Sequence, residues 1–140
     1  MRTLLVAIGN TIRRDDGVAH RVVELLGPLP ATECVTTMQL TPELAEEIAA
    51  YGRVIFIDAD IDPGEARLEE LPEGMAARSA LGHALSPVAL IFLSRKLFGF
   101  TGQALLCRVP GHDFAEGESL SPEAEANARR AAEILRELPG

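Results

Sequence analysis

With 140 residues, 47% of them hydrophobic, the chain has the length and apolar content of one domain with one well-filled core, so a single unit spanning 1–140 is expected. Its 21 acidic residues against 13 basic ones leave a formal charge of -8, which argues against a nucleic-acid backbone or an anionic membrane surface as partner. No apolar run approaches the roughly 18 residues that suggest a membrane span, and the stretch after Met1-Arg2-Thr3 is too short for a secretory signal, so a cytoplasmic protein is expected.

In chain order, Leu4 to Ile8 reads as a strand buried on both faces and ended by Gly9-Asn10. Asp15-Asp16-Gly17 opens a helix whose stripe is Val18, Arg21, Val22, Leu25 and Leu26, stopped by Gly27-Pro28. Cys34 to Met38 is a second strand. Thr41-Pro42-Glu43 supplies an N-cap hydroxyl, a proline at the first helical position and an early acid for a short helix to about Tyr51. Arg53 to Asp58 is the clearest strand, and its four consecutive β-formers imply a central position with a carboxylate at the exit. Pro63-Gly64 marks a turn, Ala66 to Glu69 an edge strand. Ser86-Pro87 caps a helix marked by Val88, Ile91, Phe92, Arg95 and Phe98 and closed by Gly99. Gln103 to Val109 is a further strand, and Ser121-Pro122-Glu123 starts a last helix. Strands alternating with helices at this spacing predict a three-layer α/β/α sandwich around a central, largely parallel (mixed) sheet. Cys34 and Cys107 sit far apart in apolar, strand-like surroundings, outside any CxxC pair, and read as buried free thiols of a reducing compartment.

In open α/β sheets ligands sit outside the carboxyl ends of the strands. Asp15 and Asp16 follow the first strand, Asp58 ends the third, and His83 lies in the loop leading to the Ser86 helix. Two carboxylates within about 4 Å repel by roughly 4 kcal/mol at an effective dielectric of about 20, so such a pair calls for a proton or a cation. With an imidazole added, Asp16, Asp58 and His83 form an O, O, N set suited to nickel, zinc or manganese with a position left open for substrate or water. Each residue also has a plainer reading: Asp15 or Asp16 as the N-cap of the first helix, Asp58 as the cap of the next turn, His83 as an exposed loop histidine. His112, in Pro110-Gly111-His112-Asp113, is a second candidate ligand or substrate contact.

Other chemistries fit less well. Asp58-Ala59-Asp60-Ile61-Asp62 with Glu69 at the twelfth position resembles a calcium loop, but the sixth position is Pro63 where that loop needs glycine, and a strand precedes it instead of a helix. Ala7-Ile8-Gly9-Asn10-Thr11-Ile12 lacks two glycines of a dinucleotide loop, which weakens a nucleotide-dependent enzyme, and GxSxG is absent.

Gly9-Asn10-Thr11-Ile12-Arg13-Arg14-Asp15-Asp16-Gly17, an apolar strand ending Ile57-Asp58-Ala59, His83-Ala84-Leu85 before a helix, and Leu120-Ser121-Pro122 before a terminal helix resemble, in order, the motifs of the hydrogenase maturation endopeptidases. The resemblance spans nearly the whole chain and implies a phosphorylase/hydrolase-like fold. It further implies a metal-dependent endopeptidase that removes the C-terminal extension of a nickel-iron hydrogenase large-subunit precursor after nickel insertion. The metal ligands carry over to Asp16, Asp58 and His83, which would bind nickel borne by the substrate, with zinc or another divalent ion as a surrogate; a monomer or weak dimer is expected. The chain departs from the pattern at Ala7, at Ala19 and at Met38-Gln39-Leu40-Thr41, where glycines are expected, and it is compact for the family. A metal-binding maturation factor or chaperone without proteolytic activity is the alternative.

Overall fold

The computed structural model describes residues 1–73 and 85–139. They form strand β1 (Thr3–Ile8), a 3-10 turn at Arg14–Gly17, helix α1 (Val18–Leu26), β2 (Thr32–Thr37), α2 (Leu44–Ile48), β3 (Arg53–Asp60), β4 (Arg67–Glu70), α3 (Pro87–Phe98), β5 (Gln103–Pro110) and α4 (Pro122–Arg136). The strands make one sheet in the order β2-β1-β3-β5-β4. β1, β2, β3 and β5 run parallel, and β4 pairs antiparallel with β5 at the edge. The mixed, largely parallel sheet expected from the alternation of elements is the one found, with β3 at its centre.

Alternation along the strands divides the core in two. Leu5, Ala7, Ile55, Ile57, Leu105 and Cys107 pack under α1 and α4, and Leu4, Val6, Val54, Phe56 and Leu106 pack under α2 and α3. β3 therefore buries both faces, which is why it reads as an uninterrupted apolar run. Phe56 is wholly buried, and truncating a phenylalanine in such a position costs about 3–5 kcal/mol. α1 and α4 lie side by side through the small buried residues Ala124, Ala128 and Ala131, and Arg21 joins them by donating from Nε and Nη2 to the Glu125 carboxylate at 2.9 and 3.1 Å.

Ser86 and Ser121 cap α3 and α4 as their Ser-Pro sequences predict, each hydroxyl accepting the N–H three residues on, at 3.1 Å. Gly99 closes α3 at φ +73.

Two local expectations are corrected. Thr41 does not cap α2: the N–H groups of Leu44 and Ala45 donate to the Thr41 and Pro42 carbonyls, so a turn precedes a five-residue helix. The Glu43 carboxyl is held below the usual carboxylate range, chiefly by its own backbone N–H and further by the Thr41 hydroxyl. Cys34 is exposed rather than buried, because β2 is an outer strand with a neighbour on one side only. Cys107, on interior strand β5, is buried, and burial pushes its thiol up to about 12. Among the described residues no helix is long and apolar enough to cross a membrane.

Candidate functional site

The loop after β1 is folded back tightly on the 3-10 turn. Gly9 adopts φ +151, and a Cβ there would lie 1.9 Å from the Asp16 carbonyl oxygen, so the loop closes only on glycine. Asn10 then organises the turn: its Oδ1 accepts the Ile12 N–H at 3.1 Å, and its own N–H donates to Asp16 Oδ2 at 2.8 Å. His20, passed over in the sequence, braces the same loop from α1 with Nε2 2.9 Å from the Gly9 carbonyl. Asp16 is thereby half-buried, with one carboxylate oxygen fixed and the other without a protein partner among the described residues.

Asp15 has a different task. Its wholly buried carboxylate accepts the N–H groups of His112 and Asp113 (2.7 Å each), the Ser121 N–H (2.8 Å) and the Ser121 hydroxyl (2.6 Å). Burial alone would raise its pKa, but the hydrogen bonds from Ser121, Asp113 and His112 together hold it below the usual carboxylate value. Neither Asp15 nor Asp16 caps the first helix, which has no side-chain cap. The adjacent aspartates split instead into a tether, Asp15, and an open carboxylate, Asp16.

Asp58 lies on β3 opposite Ile8 of β1 and Arg108 of β5, on the α2/α3 face with Val54 and Phe56. It is half-buried, and its pKa is pushed up to about 6, chiefly by burial and further by the charges of Asp16 and Asp60. The Ala59 N–H and Arg108 act in the opposite direction. Asp58 does not cap the following turn: β3 runs on to Asp60, whose Oδ1 accepts the Asp62 N–H at 3.1 Å.

The sheet thus brings Asp16 and Asp58 to one edge, close enough for the charge of Asp16 to disfavour ionisation of Asp58. His83 lies outside the described residues, and among those described no three His, Cys, Asp or Glu side chains form a metal-binding cluster. α3, four residues beyond His83, packs on the same face as Asp58. Its far end feeds β5 through Gly99–Gly102, so its N-terminus stands at the carboxyl edge of the parallel strands. His112 sits in the loop after β5 with its backbone engaged by Asp15 and its side chain exposed.

A charge network that sequence reasoning missed lies beside Asp58 on β3, β4 and β5. Arg67 of β4 donates from Nη2 to Asp60 and from Nε to Glu69, both at 2.8 Å, and Arg108 donates from Nε to Glu69 at 3.3 Å. Asp60 and Glu69 are therefore held by arginines, which takes two of the carboxylates that the calcium-loop reading would need. The one signal available was the charge of Arg108 inside the apolar run Ala104 to Val109. A cavity of about 570 Å³ lined by Thr11, Arg14, His20, Arg21 and Glu125 lies on the α1/α4 side of the loop, away from Asp58. Its arginines are already paired, Arg14 with Asp113 and Arg21 with Glu125.

As a donor set the two carboxylates suit a divalent cation, hard oxygen ligands whose mutual repulsion the ion would relieve.

No protein-family model matches the chain, and no curated protein matches it. Solved structures do. The hydrogenase maturating endopeptidase HybD from E. coli superposes with a TM-score of 0.76 at 21% identity, over 96% of this chain and 90% of that one. The [NiFe] hydrogenase maturation protease HycI from Thermococcus kodakarensis gives 0.73 at 23% identity, over 97% and 90%. The [NiFe] hydrogenase maturation protease HybD from the same organism gives 0.67 at 21% identity, over the whole of both chains. Ordered sequence motifs and end-to-end superposition thus meet on one architecture: the chain has the α/β/α fold of the hydrogenase maturation endopeptidases.

Proposed function

We propose that the chain is an endopeptidase that removes the C-terminal extension of a nickel-iron hydrogenase large-subunit precursor after nickel insertion, with Asp16, Asp58 and His83 receiving the metal the substrate carries. The observation that carries this reading is the Asp16 and Asp58 pair at the carboxyl edge of the sheet. Asp16 keeps one oxygen free, and Asp58 is held near a pKa of about 6 with no cationic side chain within 4 Å among the described residues. A pair of carboxylates left in that condition is poised for a cation from outside.

A metal that arrives with its substrate fits an open set of side chains better than a closed one, because the incoming ion must keep its own ligands. Binding it there fixes the adjoining peptide against the sheet edge, which converts an encounter into a positioned reaction. Hydrolysis then adds the oxygen of water to the carbonyl carbon, breaks the C–N bond and returns a proton to the leaving nitrogen. Zinc or another divalent ion would serve as a surrogate for the metal in binding measurements.

The test is to mix the purified chain with nickel-loaded large-subunit precursor and follow its mass. Loss of the C-terminal extension with the wild type, and its retention with Asp16→Asn, Asp58→Asn and His83→Ala, is the expected result. An uncut precursor together with tight nickel binding by the chain alone would point instead to a metal-binding maturation factor.

A further inference from the structure

We propose that Arg108 binds the carbonyl oxygen of the peptide bond being cut, acting from beside Asp58; the inference rests on the peptidase reading above. Arg108 lies opposite Asp58 in the β3–β5 ladder. The even-numbered residues Ala104 and Leu106 of β5 share the α2/α3 face with Val54 and Phe56 of β3, so Arg108 rises from the face that carries Asp58. Neighbouring strands stand about 4.8 Å apart, which puts the root of its side chain one strand away from the carboxylate.

Its bonding separates it from the other arginine of the network. Arg67 spends Nε on Glu69 and Nη2 on Asp60, both at 2.8 Å, and so ties β4 to β3 across β5. Arg108 makes one longer bond, Nε to Glu69 at 3.3 Å, and its two Nη groups have no partner among the described residues. Its side chain is 41% exposed although Cys107, Val109 and Pro110 around it are buried. Arg108 is near enough to Asp58 to favour the charged carboxylate, yet among the described residues makes no ion pair with it, so the guanidinium does not occupy the Asp58 oxygens.

The chemistry narrows what those spare donors can do. A guanidinium stays protonated, so Arg108 neither ligates a metal nor takes a proton; it donates hydrogen bonds. Asp16, Asp58, Asp60 and Glu69 outnumber Arg67 and Arg108 around the site, and that excess of negative charge disfavours a carboxylate on the substrate. A peptide carbonyl is neutral when it binds and becomes negative only as water adds to it. A donor pair held at the sheet edge is therefore worth most in the transition state.

The experiment measures kcat and KM for cleavage of nickel-loaded precursor by wild type, Arg108→Gln, Arg108→Lys and Arg67→Gln, with the Tm of each. Arg108→Gln is expected to lower kcat about 10²-fold while KM moves by less than about threefold. Arg108→Lys, which keeps the charge, recovers part of the loss, and Arg67→Gln, which breaks the ion-pair network alone, keeps kcat within about threefold of wild type. The proposal is overturned if Arg108→Gln cuts as fast as wild type, or if Arg67→Gln loses as much as Arg108→Gln, since the network and not the donor would then matter. If Arg108→Gln fails to fold, Arg108→Lys at wild-type Tm decides: a lowered kcat at little-changed KM supports the proposal, and wild-type kcat overturns it. A wild-type chain that leaves the precursor whole overturns the peptidase reading itself, and Arg108 with it.

Discussion

Ser121 donates to both oxygens of the Asp15 carboxylate, through its N–H to Oδ1 at 2.8 Å and through its hydroxyl to Oδ2 at 2.6 Å. The same hydroxyl accepts the Ala124 N–H, so one side chain caps α4 and fastens it to the loop after β1. Asp15→Asn replaces an acceptor-only group with one that presents N–H to N–H, and is expected to cost about 2–4 kcal/mol in urea denaturation. Ser121→Ala is expected to cost about 1–2 kcal/mol. Because the two groups share bonds, the double variant should lose less than the sum, and strictly additive losses would show that the tether is not a unit.

Asp15 and Asp58 give stability opposite pH dependences. Asp15, held below its unfolded value, contributes stability that is present above about pH 4 and lost as pH falls through its folded pKa. Asp58, raised from 3.8 to about 6, binds its proton more tightly in the folded state, so its contribution is present below about pH 4 and lost as pH rises towards 6. A shift of that size corresponds to roughly 3 kcal/mol between the two limits. Asp58→Asn should therefore make the metal-free chain more stable at pH 7.5 and little changed at pH 4, while abolishing cleavage. Equal effects of the substitution at both pH values in urea titrations would refute the raised pKa.

Gly9→Ala tests whether the loop's shape delivers Asp16. A Cβ at position 9 meets the Asp16 carbonyl oxygen at 1.9 Å, in a backbone conformation that side chains rarely adopt. The 3-10 turn must move, and a loss of at least about 2 kcal/mol in stability is expected, together with weaker divalent-ion binding by calorimetry. Wild-type affinity in the variant would show that the turn can carry Asp16 without the close approach.

The two thiols should differ in reactivity. An aromatic disulfide reagent at pH 8 is expected to modify Cys34 in the native chain, slowed by the partial burial that raises its pKa, and Cys107 only after unfolding, since Cys107 is buried and its pKa is pushed up to about 12. Two thiols titrating together in the native state would contradict the placement of β5.

The strands and the capped helices were legible because their signals are local. Val54 to Ile57 and the Ser-Pro caps each state their structure within a few residues. Cys34 was misplaced because burial depends on where a strand sits in the sheet, and an apolar neighbourhood does not tell an outer strand from an inner one. Asp16 was legible as a residue that follows a strand, and Asp58 as a carboxylate near a strand's exit, although β3 runs two residues past it to Asp60. The separate role of Asp15 was not, because its partners lie about a hundred residues away, and no spacing in the sequence connects Asp15 with Ser121. Arg108 was missed because the strand around it reads as core, and only the β3–β5 register shows which carboxylate it faces.

The Asp15 tether also sets an order of events in synthesis. Asp16 occupies a turn whose neighbouring residue is secured by groups 97 to 106 positions later in the chain. A nascent polypeptide that has completed β1, α1 and even β3 still lacks the N–H groups and the hydroxyl that hold the first loop in shape. The loop that carries Asp16 is therefore among the last features of the molecule to form, and a chain shortened before α4 would keep both aspartates yet have no settled place for them.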